Sequence, residues 1–288
     1  MFAFSPQHDF FVAIDSDGCV FDTMELKHKE CFVPEFINHY ELQAVSKYAR
    51  ECWEFSNLYS KSRGANRFAT LIESLQLLQQ RPEVNARGIR IAIPESLVAW
   101  MSSETRLGNP ALEARVSATG DADLKRALAW SEAVNESIAA MVRGVPPFAL
   151  VRETVQKLHP LADVLVCSAT PCEALRAEWR EHELDQYVVD ICGQETGSKK
   201  EVLTVASKYQ PQHALMVGDA PGDYAAAKAN GCLFFPIIPG GEEASWKQLH
   251  DDGIDRFFSG RFAGDYQQRL LEAFESSLPE TPNWKRVA

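Results

Sequence analysis

Apolar residues in this chain fall into two rhythms, and the change between them outlines its organisation. Asp9–Ile14 is a short run, apolar from Phe10 onward, that ends at Asp15-Ser16-Asp17-Gly18, the pattern of a buried strand in a parallel sheet. From Thr23 to about Met141 the spacing turns helical. Glu41–Ser60, Asn66–Gln80 and Asp121–Val142 each place apolar residues on one face, as Phe68, Leu71, Ile72, Leu75 and Leu78 do. Asp121 is the expected N-cap of the last of these, and a short extended piece at Ile89–Ile93 is the one interruption. Gly144-Val145-Pro146-Pro147 closes the stretch.

Beyond it, helix and strand signals alternate. Helices are predicted over Leu150–Leu158, Pro171–His182, Lys199–Tyr209 and Tyr224–Ala229. Strands are predicted at Val164–Cys167, Val188–Ile191, Ala214–Val217 and Leu233–Ile237. Two helices follow, Ala244–His250 and Asp265–Ser277, and then a Pro-rich stretch expected to be loose. The simplest architecture is a Rossmann-like three-layer α/β/α core, residues 1–22 and 145–288, with an inserted all-helical cap over 23–144. An unstructured loop of that length is implausible. An insert leaving the C-terminal edge of a parallel sheet is expected to act as a lid over the ligand crevice.

Composition narrows the function. The 288 residues are 45% hydrophobic and carry a formal net charge of −11 with no dense Lys/Arg block, so a nucleic-acid partner is not expected. No apolar run approaches the roughly 20 residues that span a bilayer. The first residues are not read as a signal peptide, and the seven cysteines are scattered without a CxxC pair. A cytoplasmic protein with a small anionic substrate is the expectation.

Four segments at predicted strand ends carry the chemistry. Side chains two apart on extended chain point the same way, so Asp15 and Asp17 can face one pocket. Val164–Thr170 offers a hydroxyl and backbone amides just after a strand. Gly197-Ser198-Lys199-Lys200-Glu201 opens a helix with Ser198 as its N-cap, and Met216–Asp223 adds Asp219 and Asp223. Gathering such carboxylates costs roughly 1 to 4 kcal/mol per pair at 4 Å. A divalent cation turns that repulsion into ligation, and hard oxygen donors suit Mg²⁺.

In order and spacing these segments resemble the motifs of the haloacid dehalogenase superfamily, over roughly residues 9–22 and 145–238. The family's DxDG, strand-end Ser/Thr, Lys and GDxxxD are matched by Asp15/Asp17, Ser168, Lys199 (or Lys200) and Gly218-Asp219…Asp223. The resemblance implies a Mg²⁺-dependent phosphoric monoester hydrolase acting on a small phosphorylated metabolite. Asp15 would be the nucleophile and Asp17 the general acid and base. Asp15, the Asp17 carbonyl and Asp219 would ligate the metal, with Asp223 orienting a ligand or water. Ser168, the Ala169 amide and Lys199 would hold the phosphate. Asp17 sets the chain apart from dehalogenase-type members, because an alkoxide leaving group needs a proton. A phosphomutase shares all these residues, and a silent phosphate-binding protein is a third reading. Cys19 departs from the family's usual Thr or Val and is read as neutral. In the insert, Arg63 and Arg67 flank a glycine turn and are candidates for reading the rest of the substrate, against a solvated turn as the bland alternative.

Overall fold

The computed structural model describes residues 4–285, which divide into two units: 4–24 with 143–279, and 25–142 with 280–285. The first unit holds five strands, β1 (Phe11–Ile14), β2 (Asp163–Cys167), β3 (Asp190–Cys192), β4 (Ala214–Gly218) and β5 (Leu233–Pro236), in the order β3-β2-β1-β4-β5. All pairs are parallel, with Ile14 opposite Val166 on one side and Val217 on the other.

Both faces of the sheet are covered, which is why these strands read as unbroken apolar runs. Alternate residues sort to opposite faces. Val12, Ile14, Val164, Val166, Leu215 and Val217 pack against helices Val151–Leu158 and Cys172–Glu181 and the tail around Trp246 and Phe257. Phe11, Ala13, Leu165, Met216 and Phe234 meet helices Pro221–Ala229 and Asp265–Ser277 on the other face. The result is a three-layer α/β/α unit. Strand order reverses between β1 and β4, and the crevice outside their carboxyl ends is where such sheets bind ligands.

The helical unit is built around Trp53, Trp130, Phe36 and Phe68, all fully or nearly fully buried, with Phe32 stacked on Trp53. Its longer helices are Ser46–Leu58, Arg67–Gln79, Asn109–Thr119 and Ala122–Met141. Asp121 caps the last as expected, accepting from the Asp123 and Leu124 amides.

Three expectations are corrected. Ile89–Ile93 forms no strand; Ile91 is buried among helices and its carbonyl accepts from Gln79 Nε2 at 3.0 Å. The helix expected over Lys199–Tyr209 tightens after Val202 into a 3₁₀ segment, Leu203–Lys208. Residues 280–285 are neither loose nor part of the α/β unit. Trp284 lies against the Arg81 guanidinium, 4.3 Å from ring centroid to carbon, and edge-on to Phe55, while Glu280 pairs with Lys61 at 2.7 Å. A cation over an indole face and an aromatic edge anchor the segment without any periodic pattern to announce them.

Candidate active site

Asp15 makes the last ladder bond of β1, its amide donating to Val217 O at 3.0 Å, and the chain then leaves the sheet. Gly18 takes φ 74°, a conformation that favours glycine, and the Cys19, Val20 and Phe21 amides turn back onto Ser16 O. The expected alternation is visible in Ser16, whose hydroxyl is buried and accepts from Trp179 Nε1 at 2.9 Å. At the end of β4, Gly218 leaves room that no other residue could: a Cβ there would lie 2.5 Å from Asp223 Oδ2. That oxygen accepts from the Asp219 and Ala220 amides at 3.2 and 3.1 Å. Ser198 caps the short helix Lys199–Val202 in a reciprocal box with Glu201, which fixes where Lys199 starts.

Lys199 Nζ donates to Asp15 Oδ2 and to Asp223 Oδ1, both at 2.5 Å. Lys200 is exposed, and of the two candidate lysines it is Lys199 that reaches the carboxylates. Among the described residues, Asp15, Asp219 and Asp223 bring carboxylate oxygens within 4.8 Å of one another, and all three are buried. Three carboxylates against one ammonium leave two negative charges, and every donor is a hard oxygen. These residues fit a divalent cation of the Mg²⁺ type.

The electrostatics follow from this crowding. Burial pushes Asp15 from 3.8 up to about 6, opposed by Lys199 and reinforced by Asp223. Asp223 is raised for the same first reason, burial, against the pull of Lys199. Burial works against the Lys199 ammonium too, but the two carboxylates outweigh it and hold its pKa well above the ordinary lysine value. Cys19 is fully buried, and burial followed by the nearby Asp219 and Asp15 charges keeps it a thiol.

Asp17 does not join the carboxylate trio. Its Oδ1 accepts from Thr23 Oγ1 at 2.5 Å and its Oδ2 from Thr170 Oγ1 at 2.6 Å. Sequence reasoning missed both threonines. Thr170 lay inside a segment already singled out for its hydroxyls, whereas nothing about Thr23 marked it. Ser168 is buried at the end of β2, its amide donating to Cys192 O, and Ala169 is exposed just beyond it.

The arginine expectation fares differently. Arg63 is buried, and its Nη1 donates to Leu58 O at 3.0 Å. Arg67 Nη1 donates to Ser131 O, Ser131 Oγ and Asn135 Oδ1 at 3.2, 2.9 and 2.8 Å, and its guanidinium lies 5.1 Å from the Phe32 ring. Burial lowers its pKa to about 10. Gly64, Ala65 and Asn66 of the turn are exposed, while both arginines donate to oxygens of their own unit.

No family model matches the chain. A curated phosphoglycolate phosphatase from Vibrio vulnificus is 30% identical over 98 residues, 31% of this chain and 43% of the relative. The chain thus spans less than half the length of the curated relatives it matches. Among solved structures, a haloacid dehalogenase-like hydrolase from Streptococcus pneumoniae superposes with a TM-score of 0.50 at 11% identity, covering 84% of this chain and 91% of that one. A protein from Haemophilus somnus, named a predicted phosphoglycolate phosphatase, gives 0.50 at 13% identity, over 81% and 87%. With the β3-β2-β1-β4-β5 sheet and an insert after its first strand, the chain has the fold of the haloacid dehalogenase-like hydrolases.

Proposed function

We propose that this protein is a Mg²⁺-dependent phosphoric monoester hydrolase that carries the phosphoryl group on Asp15. The observation that carries the reading is the Lys199 ammonium shared by Asp15 and Asp223 at the crevice of the sheet, with Asp219 completing the acidic cluster. Asp15 is buried and positioned, and Lys199 keeps its carboxylate available as an anion. Asp15 Oδ attacks phosphorus as the bond to the ester oxygen breaks, and protonated Asp17 gives its proton to the departing alkoxide. Asp17, now a carboxylate, takes a proton from water. The water oxygen attacks phosphorus, the bond to Asp15 breaks, and inorganic phosphate leaves. Ser168 Oγ and the Ala169 amide would hold phosphate oxygens, with Lys199 offsetting charge that builds there. Asp15, Asp219 and the Asp17 carbonyl would hold the cation, with Asp223 orienting the set. The cation supplies charge neutralisation for an anionic nucleophile meeting an anionic substrate.

Small phosphorylated metabolites are the substrate class. The curated relatives' name puts 2-phosphoglycolate at the head of the panel to assay, beside p-nitrophenyl phosphate. Mass spectrometry of an acid-quenched reaction is expected to find a phosphoryl group on Asp15, and Asp15→Asn is expected to abolish turnover with the fold intact. Near-normal turnover in Asp15→Asn would sink the mechanism. Isomerisation of sugar phosphates outrunning phosphate release would replace hydrolysis with a mutase reaction.

A further inference from the structure

The contact between Thr170 and Asp17 joins two loops 153 residues apart in sequence, at an oxygen–oxygen distance of 2.6 Å. A hydroxyl donating to a carboxylate at that distance is among the stronger hydrogen bonds a side chain makes. Thr170 is itself held from behind. Its carbonyl accepts from the Gln194 amide at 3.1 Å, and buried Gly193 packs so closely that a Cβ there would lie 2.5 Å from that carbonyl. The next turn is fixed by the same neighbours: Cys172 N donates to Glu195 Oε2 at 2.9 Å, and Gly193 N donates to Cys172 Sγ at 3.1 Å. Residues 193–195, just past β3, therefore clamp Thr170 to the sheet. The other hydroxyl on Asp17 comes from Thr23, the first residue of helix Thr23–Leu26, close to where the chain passes out of the α/β unit.

We infer that Thr170 is a positioning residue for phosphoryl transfer: its hydroxyl fixes the rotamer of Asp17, so that the carboxyl group is aimed at the ester oxygen and not at solvent. This rests on the reading of Asp17 as general acid and base. Proton donation matters in proportion to the basicity of the leaving oxygen. An alkyl phosphate needs it, whereas p-nitrophenolate departs as a stable anion. Thr170→Val keeps the shape and removes the hydroxyl; Thr170→Ser keeps the hydroxyl.

The kinetic test compares kcat/KM for glycerol 2-phosphate and p-nitrophenyl phosphate, since that ratio reports on events up to the first irreversible step. General acid catalysis is worth roughly 10²–10⁴-fold, so losing its aim is expected to cost Thr170→Val about 10- to 100-fold on the alkyl ester. The aryl ester is expected to lose less than about 3-fold, and Thr170→Ser to restore most of the difference. Equal losses on both esters would make Thr170 a phosphate-holding or folding residue and overturn the inference. Crystal structures of the parent and of Thr170→Val supply a readout that needs no turnover. Asp17 is expected in one rotamer in the parent and displaced or split in the variant. An unmoved Asp17 in Thr170→Val refutes the positioning role whether or not the protein proves to be a hydrolase.

Discussion

Replacing Lys199 by Met tests whether the acidic cluster is balanced as its geometry says. The ammonium sits 2.5 Å from both Asp15 and Asp223, and three carboxylates lie within 4.8 Å of one another. At an effective dielectric near 20, each carboxylate pair at that separation repels by roughly 3 kcal/mol. Proton uptake relieves part of this, and breaking a buried ion pair typically costs about 3–5 kcal/mol. For a unit of roughly 160 residues that corresponds to a fall in Tm of about 6–20 °C. The assay is calorimetry in EDTA, followed by titration with MgCl₂. A divalent cation meets two net negative charges in the parent and three in the variant, so Mg²⁺ is expected to raise the variant's Tm by more. The sign with pH is fixed by linkage. Asp15 titrates at about 6 in the fold and at 3.8 ordinarily, so the folded state binds more protons in that window and stability falls as pH rises through it. Without Lys199 the folded Asp15 pKa rises further and the window extends to higher pH. A Tm within 1 °C of the parent in EDTA, or equal Mg²⁺ shifts in both proteins, would refute this charge balance.

Two predictions concern structure away from the crevice. Asp163, fully buried at the start of β2, accepts from Tyr209 OH, His8 Nδ1 and the Gln7 and His8 amides. Burial alone would raise its pKa, but these donors outweigh it and hold it low. Its stabilisation is present above the unfolded value of about 3.9 and is lost as pH falls through the folded one. Asp163→Ala is expected to cost about 3–5 kcal/mol in urea melts at neutral pH, with a gap that shrinks toward pH 2 and turnover at 25 °C preserved. A gap that widens in acid contradicts the assignment. Trp284→Ala removes the Arg81 and Phe55 contacts and is expected to cost about 1–3 kcal/mol and to speed amide exchange over residues 280–285. Unchanged exchange would mean that Trp284 does not anchor the segment.

What could be read from the sequence was whatever repeats locally. The strands were legible because burial on both faces demands unbroken apolar runs, and Asp265–Ser277 matched to the residue because its apolar face is periodic. The acidic cluster was legible because Asp15 and Asp219 each follow directly on a strand end and Asp223 lies in the first turn of the helix after β4, where the fold gathers them. The contacts that sequence reasoning missed link residues far apart and obey no period. Trp284 finds Arg81, Arg67 finds the carbonyl of Ser131, and Thr170 finds Asp17. A proline-rich tail and an arginine pair beside glycine look like solvent-facing segments until their partners are known.

This difference bears on how the site works. The residues named by motif (Asp15, Lys199, Asp219 and Asp223) meet through buried charge, and burial makes each depend on the others: Lys199 is held by two carboxylates that it in turn keeps ionised. Asp17 is not among those three carboxylates, and it accepts from the hydroxyls of Thr170 and of Thr23, the first residue of a helix. A nucleophile must be fixed and charged before substrate arrives, and the ammonium beside Asp15 would serve that proposed role. A group that gives a proton and then takes one back must remain stable in both charge states. Neutral hydroxyl donors impose a smaller electrostatic penalty on the protonated form than an ammonium at 2.5 Å would. The division of partners between the two aspartates therefore matches the division of labour proposed for them.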